Sequence, residues 1–138
     1  MEKFANSVCI VTGASAGIGK ELCKILLDEG QNLKVIGLAR REIEIAHENF
    51  HGMICDVSKA NQISDTVEKI RKLFPDRKIS ILVNNAGHAK PLPLMLDEKL
   101  NDDGTNMTTS LQEASDLYTA MLGTNVLGLT LMTREVHL

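Results

Sequence analysis

An apolar run from Val8 to Val11 ends in Thr12-Gly13-Ala14-Ser15-Ala16-Gly17-Ile18-Gly19, and a helical pattern follows at once. This junction restricts the fold more than any other part of the chain. A strand that passes into a helix through three glycines can reverse tightly and let backbone N–H groups approach a ligand. It also aims a helix N-terminus, where negative charge is stabilised, at that ligand. Glycine suits these tasks because it has no Cβ. A pyrophosphate is the ligand such a turn fits, with Gly13, Ser15, Ala16, Gly17, Ile18 and Gly19 as the residues that would hold it. A tight turn with no ligand is the alternative.

The surrounding pattern agrees with a strand-turn-helix reading. Leu33 to Leu38 and Ile79 to Val83 are short apolar runs that suit buried parallel strands, and Met53 to Cys55 is a weaker candidate. Ile18, Leu22, Ile25 and Leu26 form one helical stripe, and Ile63, Val67, Ile70 and Phe74 form another, for which Ser58 is the expected N-cap. Strands alternating with helices predict βαβ units and a parallel sheet. Pro91 to Ser110 reads as a long polar connection. Ser110 with Glu113 then reads as a capping box opening a helix with Leu111, Ala114, Leu117, Met121 and Leu122 at helical spacing, running to near the C-terminus.

The length of 138 residues allows one domain, taken as residues 1–138. Fifteen Lys and Arg against 18 Asp and Glu give a formal charge of −3 with no basic run, so no nucleic-acid partner is expected. The apolar runs are too short for a membrane span or a signal-peptide core. Cys9, Cys23 and Cys55 have no CxxC spacing and read as small buried residues, and a cytoplasmic location is expected.

Asn84-Asn85-Ala86-Gly87 directly follows the run Ile79 to Val83. Together with the Gly-x-x-x-Gly-x-Gly spacing of the first turn, it strongly resembles the short-chain dehydrogenase/reductase family. Asp56-Val57 is similar to the family's adenine-contacting pair, and Thr124-Asn125-Val126-Leu127-Gly128 to its mid-helix Asn motif. Thr133-Arg134-Glu135 resembles the animal subgroup of farnesol dehydrogenases and member-11-type reductases. The resemblance implies a Rossmann-like α/β fold: the first half of a doubly wound parallel sheet, in order 3-2-1-4, with a long C-terminal helix. It implies a dinucleotide site formed by the glycine turn with Asp56, Val57, Asn84, Asn85, Ala86 and Gly87. It also implies hydride exchange with a small-molecule alcohol or carbonyl substrate.

Where an acid would bind a ribose 2′-hydroxyl, the segment reads Gly37-Leu38-Ala39-Arg40-Arg41. Two guanidiniums match a 2′-phosphate, so the expected cofactor is NADP(H), with Arg40 and Arg41 as its discriminators. Two solvated charges at a helix start are the alternative. A different class of function is suggested by His47-Glu48-Asn49-Phe50-His51, the string of zinc hydrolases. Gly52 and a candidate strand follow at once, so an exposed connection is expected there and no metal site.

The family's chemistry uses a Tyr as acid/base, a Lys four residues later, a Ser on the substrate oxygen and the mid-helix Asn. Of these the chain offers Asn125 as its catalytic candidate. The single tyrosine, Tyr118, precedes Asn125, is followed at the fourth position by Leu122, and reads as a half-buried helix residue. The expected chain is therefore an N-terminal cofactor-binding portion without most of the active site. A non-catalytic NADP-binding or interaction protein is the alternative. His88, Ala89 and Lys90 are candidates for the pocket entrance. The fourth strand is expected to leave a bare edge. Gly123 and Gly128, at about 1 kcal/mol each against Ala, suggest close helix packing in a homo-oligomer.

Overall fold

The structure is a computed structural model and describes residues 4, 6–29, 32–89 and 111–137. The predicted polar connection from Pro91, the Ser110 half of the capping box and Lys90 lie outside the described residues. The strands are β1 (Val8–Thr12), β2 (Lys34–Ala39), β3 (Phe50–Ile54) and β4 (Ile79–Val83). They form one sheet, parallel as the alternation of elements predicts and in the order β3-β2-β1-β4 that the resemblance implies. The weak candidate at Met53 is the end of β3, which starts three residues earlier at Phe50.

β1 is central and every one of its residues is buried. Its side chains alternate between the faces of the sheet, as a period of two requires. Val8 and Ile10 join Ile36 and Leu38 beneath α2 (Ala60–Leu73), where Ile63, Val67 and Ile70 complete the predicted stripe. Cys9 and Val11 face α1 (Gly17–Glu29). The chain then runs from α3 (Leu111–Leu122) through a π-helical stretch, Gly123–Gly128, into α4 (Leu129–His137), confirming the long final helix. Met132 of α4 is fully buried against the α2 side of the core, whereas α3 has no buried residue.

Three local expectations are corrected. In α1 the buried residues are Gly19, Cys23 and Leu27, while Ile18 and Ile25 are 80% and 56% exposed. The helix is turned so that Gly19, the residue able to abut the first turn, faces the sheet. Ser58 does not cap α2: the N-cap is Lys59, without a side-chain hydrogen bond, and the Ser58 hydroxyl donates to the Asp56 carboxylate at 2.8 Å. No helix follows Arg41; residues 42–47 carry no regular structure, and Ile43 and Ile45 cover the α1 face beside Phe50. Gly128 also makes a close approach within the chain. A Cβ there would lie 2.8 Å from the Val57 carbonyl oxygen, so this glycine seats the final helix on the loop after β3.

Candidate dinucleotide site

The C-terminal ends of the four strands carry the site. β1 delivers the glycine turn, β2 ends in Arg40 and Arg41, β3 leads into Cys55, Asp56 and Val57, and β4 leads into Asn84 to His88. These segments enclose a groove of about 490 Å³. Ten of the predicted residues line it: Gly13, Ser15 and Ala16; Arg40 and Arg41; Asp56 and Val57; Asn85, Ala86 and Gly87.

Gly13 has φ +71° and Gly17 φ +56°, a backbone region that residues with a Cβ rarely enter. Gly13 also lies under the Asn85 turn, where a Cβ would meet the Ala86 Cα at 2.9 Å. Gly17, Ile18 and Gly19 form the first turn of α1 and do not line the groove. Gly19 acts through close approach: a Cβ there would fall 2.5 Å from both the Gly13 carbonyl oxygen and the Asn85 Nδ2.

The Asn84-Asn85-Ala86-Gly87 segment is fastened from both sides. The Asn85 side chain donates from Nδ2 to the Thr12 carbonyl at 3.0 Å, holding the end of β1 to the turn. The Asn84 Nδ2 donates to the Thr133 hydroxyl of α4 at 3.2 Å, so Asn84 points away from the groove as a tether. The Asn125 amide clamps His88. Its Oδ1 accepts the His88 N–H and its Nδ2 donates to the His88 carbonyl, both at 2.8 Å. Asn125 lies within the π-helical stretch, a widened turn of a kind frequent at functional sites. It does not itself line the groove; it positions the residue that does.

On the other side of β1, the Arg41 Nε donates to the Ser15 hydroxyl at 3.2 Å, bringing the guanidinium to the glycine turn. The Asp56 carboxyl is held below its ordinary range. Burial would raise it, but hydrogen bonds from the Ser58 hydroxyl and N–H, with the charges of Arg40 and Lys59, outweigh that.

His47-Glu48-x-x-His51 is not helical. His47 ends the irregular stretch, Glu48 and Asn49 form a turn, and His51 is a strand residue of β3, so the two imidazoles lack the shared helical face that metal binding at this spacing needs. Among the described residues no group of three or more His, Cys, Asp or Glu is placed to hold a metal ion. Tyr118 is 37% exposed on α3. Cys55, His88 and Thr124 also line the groove, and Thr12 and Thr133 brace it. His88 is among the residues expected at the pocket entrance; the other four stand inside or beside the motifs, but nothing in their spacing distinguishes a lining or bracing role.

The sequence matches the family model described as short chain dehydrogenase over residues 7–137. It is 32% identical to farnesol dehydrogenase of Aedes aegypti, covering 99% of this chain and 52% of that protein. It is 28% identical to dehydrogenase/reductase SDR family member 11 of Gallus gallus, covering 99% and 50%. The chain thus spans about half the length of these curated relatives. Among solved structures, 3-ketoacyl-(acyl-carrier-protein) reductase from Brucella melitensis, complexed with NADH, superposes with a TM-score of 0.70 at 26% identity, covering 96% of this chain and 50% of that one. A metagenomic short-chain oxidoreductase in complex with NADP shares the fold, with a TM-score of 0.65 at 20% identity, covering 96% and 55%. The glycine turn, the braced Asn84-Asn85-Ala86-Gly87 segment and this match along nearly the whole sequence establish that the chain belongs to the short-chain dehydrogenase family.

Proposed function

We propose that the chain is the cofactor-binding portion of an NADP(H)-dependent oxidoreductase that interconverts an alcohol, of secondary or isoprenoid type, and the corresponding carbonyl. The Arg41–Ser15 hydrogen bond carries the choice of NADP(H) over NAD(H). It holds a guanidinium beside the glycine turn at the tip of β2, where a carboxylate would favour a free ribose 2′-hydroxyl, and Arg40 stands next to it. The groove fits the group: its floor is glycine backbone, its β2 rim is cationic, and about 490 Å³ is ample for a cofactor segment.

When bound, the dinucleotide supplies or accepts the hydride. The residues of this chain bind and orient it. Gly13, Ser15 and Ala16 offer backbone N–H groups to the pyrophosphate, Asp56 and Val57 flank the adenine, and Asn85, Ala86 and Gly87 support the β4 side. Asn125 keeps that side in place through His88. The 138 residues contain no Tyr-x-x-x-Lys, and Tyr118 is exposed on α3, which favours a second reading of this segment as a binding module without turnover of its own. Three free buried thiols support a reducing, cytoplasmic setting. Leu111, Tyr118, Leu122 and Val126, exposed at intervals of seven, four and four, support self-association through the last helix.

Titration of the chain with NADPH and NADH tests the cofactor assignment. Tighter binding of NADPH is expected. Joint replacement of Arg40 and Arg41 by Ala should cost NADPH on the order of tenfold or more while sparing NADH. Equal losses for both would defeat it. Turnover of a carbonyl panel by this chain would overturn the binding-module reading.

A further inference from the structure

The sheet order places Arg40, Arg41 and Asp56 at the ends of β2 and β3, on one side of β1, and His88 after β4, on the other. A dinucleotide with its 2′-phosphate on the arginines must therefore cross β1 and bring its nicotinamide end toward His88. The backbone of His88 is gripped on both its N–H and its carbonyl by Asn125. That fixes where the side chain starts, and His88 lines the groove. Among the described residues Asn125 holds it from the π-helical stretch, and uncharged Thr124, Gly13, Ser15 and Ala16 share the groove lining with it. Among the described lining residues, the remaining charged groups are Arg40, Arg41 and Asp56 across β1.

We propose that His88 discriminates between the oxidised and reduced forms of the cofactor, its protonated imidazole disfavouring the cationic nicotinamide ring and so favouring the reduced form. This rests on the nicotinamide-dinucleotide reading above. The two forms differ by a hydride, which turns the positive ring neutral. Every other charge on the ligand, the 2′-phosphate and pyrophosphate included, is common to both. The ratio of their dissociation constants therefore isolates the ring charge. A ratio that changes with pH in the parent and not in a chain lacking the imidazole would report that charge.

The test is isothermal titration of the 138-residue chain with NADPH and with NADP⁺ from about pH 5.5 to about pH 8. The NADP⁺/NADPH ratio of dissociation constants is expected to rise about fivefold toward acid pH, the size of a single charge pair across several ångström of partly hydrated protein. His88→Gln should give a ratio that does not change with pH, and His88→Lys a ratio that stays high throughout. His47→Gln, remote from the groove, should behave as the parent does. Binding of both forms with a flat parental ratio, or an unchanged pH response in His88→Gln, overturns the role of His88 and leaves the cofactor assignment standing. Absence of binding of either form at every pH overturns both.

Discussion

The Thr12 hydroxyl oxygen accepts the backbone N–H groups of both Asn85, at 3.0 Å, and Ala86, at 2.9 Å. One side chain at the end of β1 thus satisfies two donors of the turn that follows β4, and Thr12 is 2% exposed. Replacement by Val keeps the shape and removes the acceptor. The Asn85 N–H keeps the Val83 carbonyl at 3.0 Å, so the loss falls on the part-buried Ala86 N–H and should cost about 1–3 kcal/mol, read from urea unfolding, whereas Thr12→Ser should recover most of it. If Thr12→Val unfolds at the parental urea concentration, the hydroxyl is not the fastener described.

Gly19 meets the turn from the helix side. An Ala there needs space already taken by the Gly13 carbonyl oxygen and the Asn85 amide, and neither can move without disturbing a turn. Gly19→Ala should destabilise the chain by about 3 kcal/mol, as overpacking of a tight contact does. It should also weaken dinucleotide binding on the order of tenfold, measured by titration calorimetry. Parental affinity in a folded Gly19→Ala chain would count against the close approach.

The three cysteines should be chemically silent in the folded chain. Burial pushes the Cys9 thiol up to about 12, with Cys23 beside it adding to the effect, and burial pushes Cys23 up to about 11. Cys55 is raised chiefly by burial as well, against a hydrogen bond with Thr66 that lowers it. Since the thiolate is the reactive species, a disulfide reagent near neutral pH should find no fast-reacting thiol in the native chain and all three after unfolding. A rapid native phase traced to Cys9 or Cys23 would show that α1 opens from the sheet, and one traced to Cys55 that the groove exposes it.

The parts of this architecture that were legible in the sequence are those imposed by the backbone. Gly13 and Gly17 had to be glycine for their φ, and the apolar run before them had to be a strand, so β1, the turn and the start of α1 stood out together. The facing of α1 was not legible. Ile18 and Ile25 are more apolar than Gly19 and Cys23, yet the contact of Gly19 with Gly13 decides the rotation and leaves the isoleucines outside. Ser58 is a residue type that caps helices, but α2 begins one residue too late for it, with Lys59 at the N-cap, and its hydroxyl and N–H both donate to the Asp56 carboxylate. The π-helical stretch around Asn125 carries no signal at the level of periodicity, since it takes its form from the contacts of Gly128 with Val57 and of Asn125 with His88.

His51 makes the chain sensitive to acid. Among the described residues its Nδ1 is buried without a hydrogen-bond partner, and its ring stands edge-on to Phe74 with centroids 5.1 Å apart. Burial, and then the positive charge of Lys34, hold its pKa below the ordinary 6.5. Lys34 is itself fixed by donating to the Asn49 side chain at 2.6 Å. The folded chain therefore favours the neutral ring, and the unfolded chain binds the extra proton first. The stability this contributes is fully present above about pH 6.5 and is lost as the pH falls from there toward the depressed folded value. Urea unfolding at about pH 7.5 and about pH 5.5 should show the parent losing more stability on acidification than His51→Phe, which keeps a ring against Phe74 and cannot be protonated. Equal losses in the two chains would mean that β3 accommodates the imidazolium without penalty.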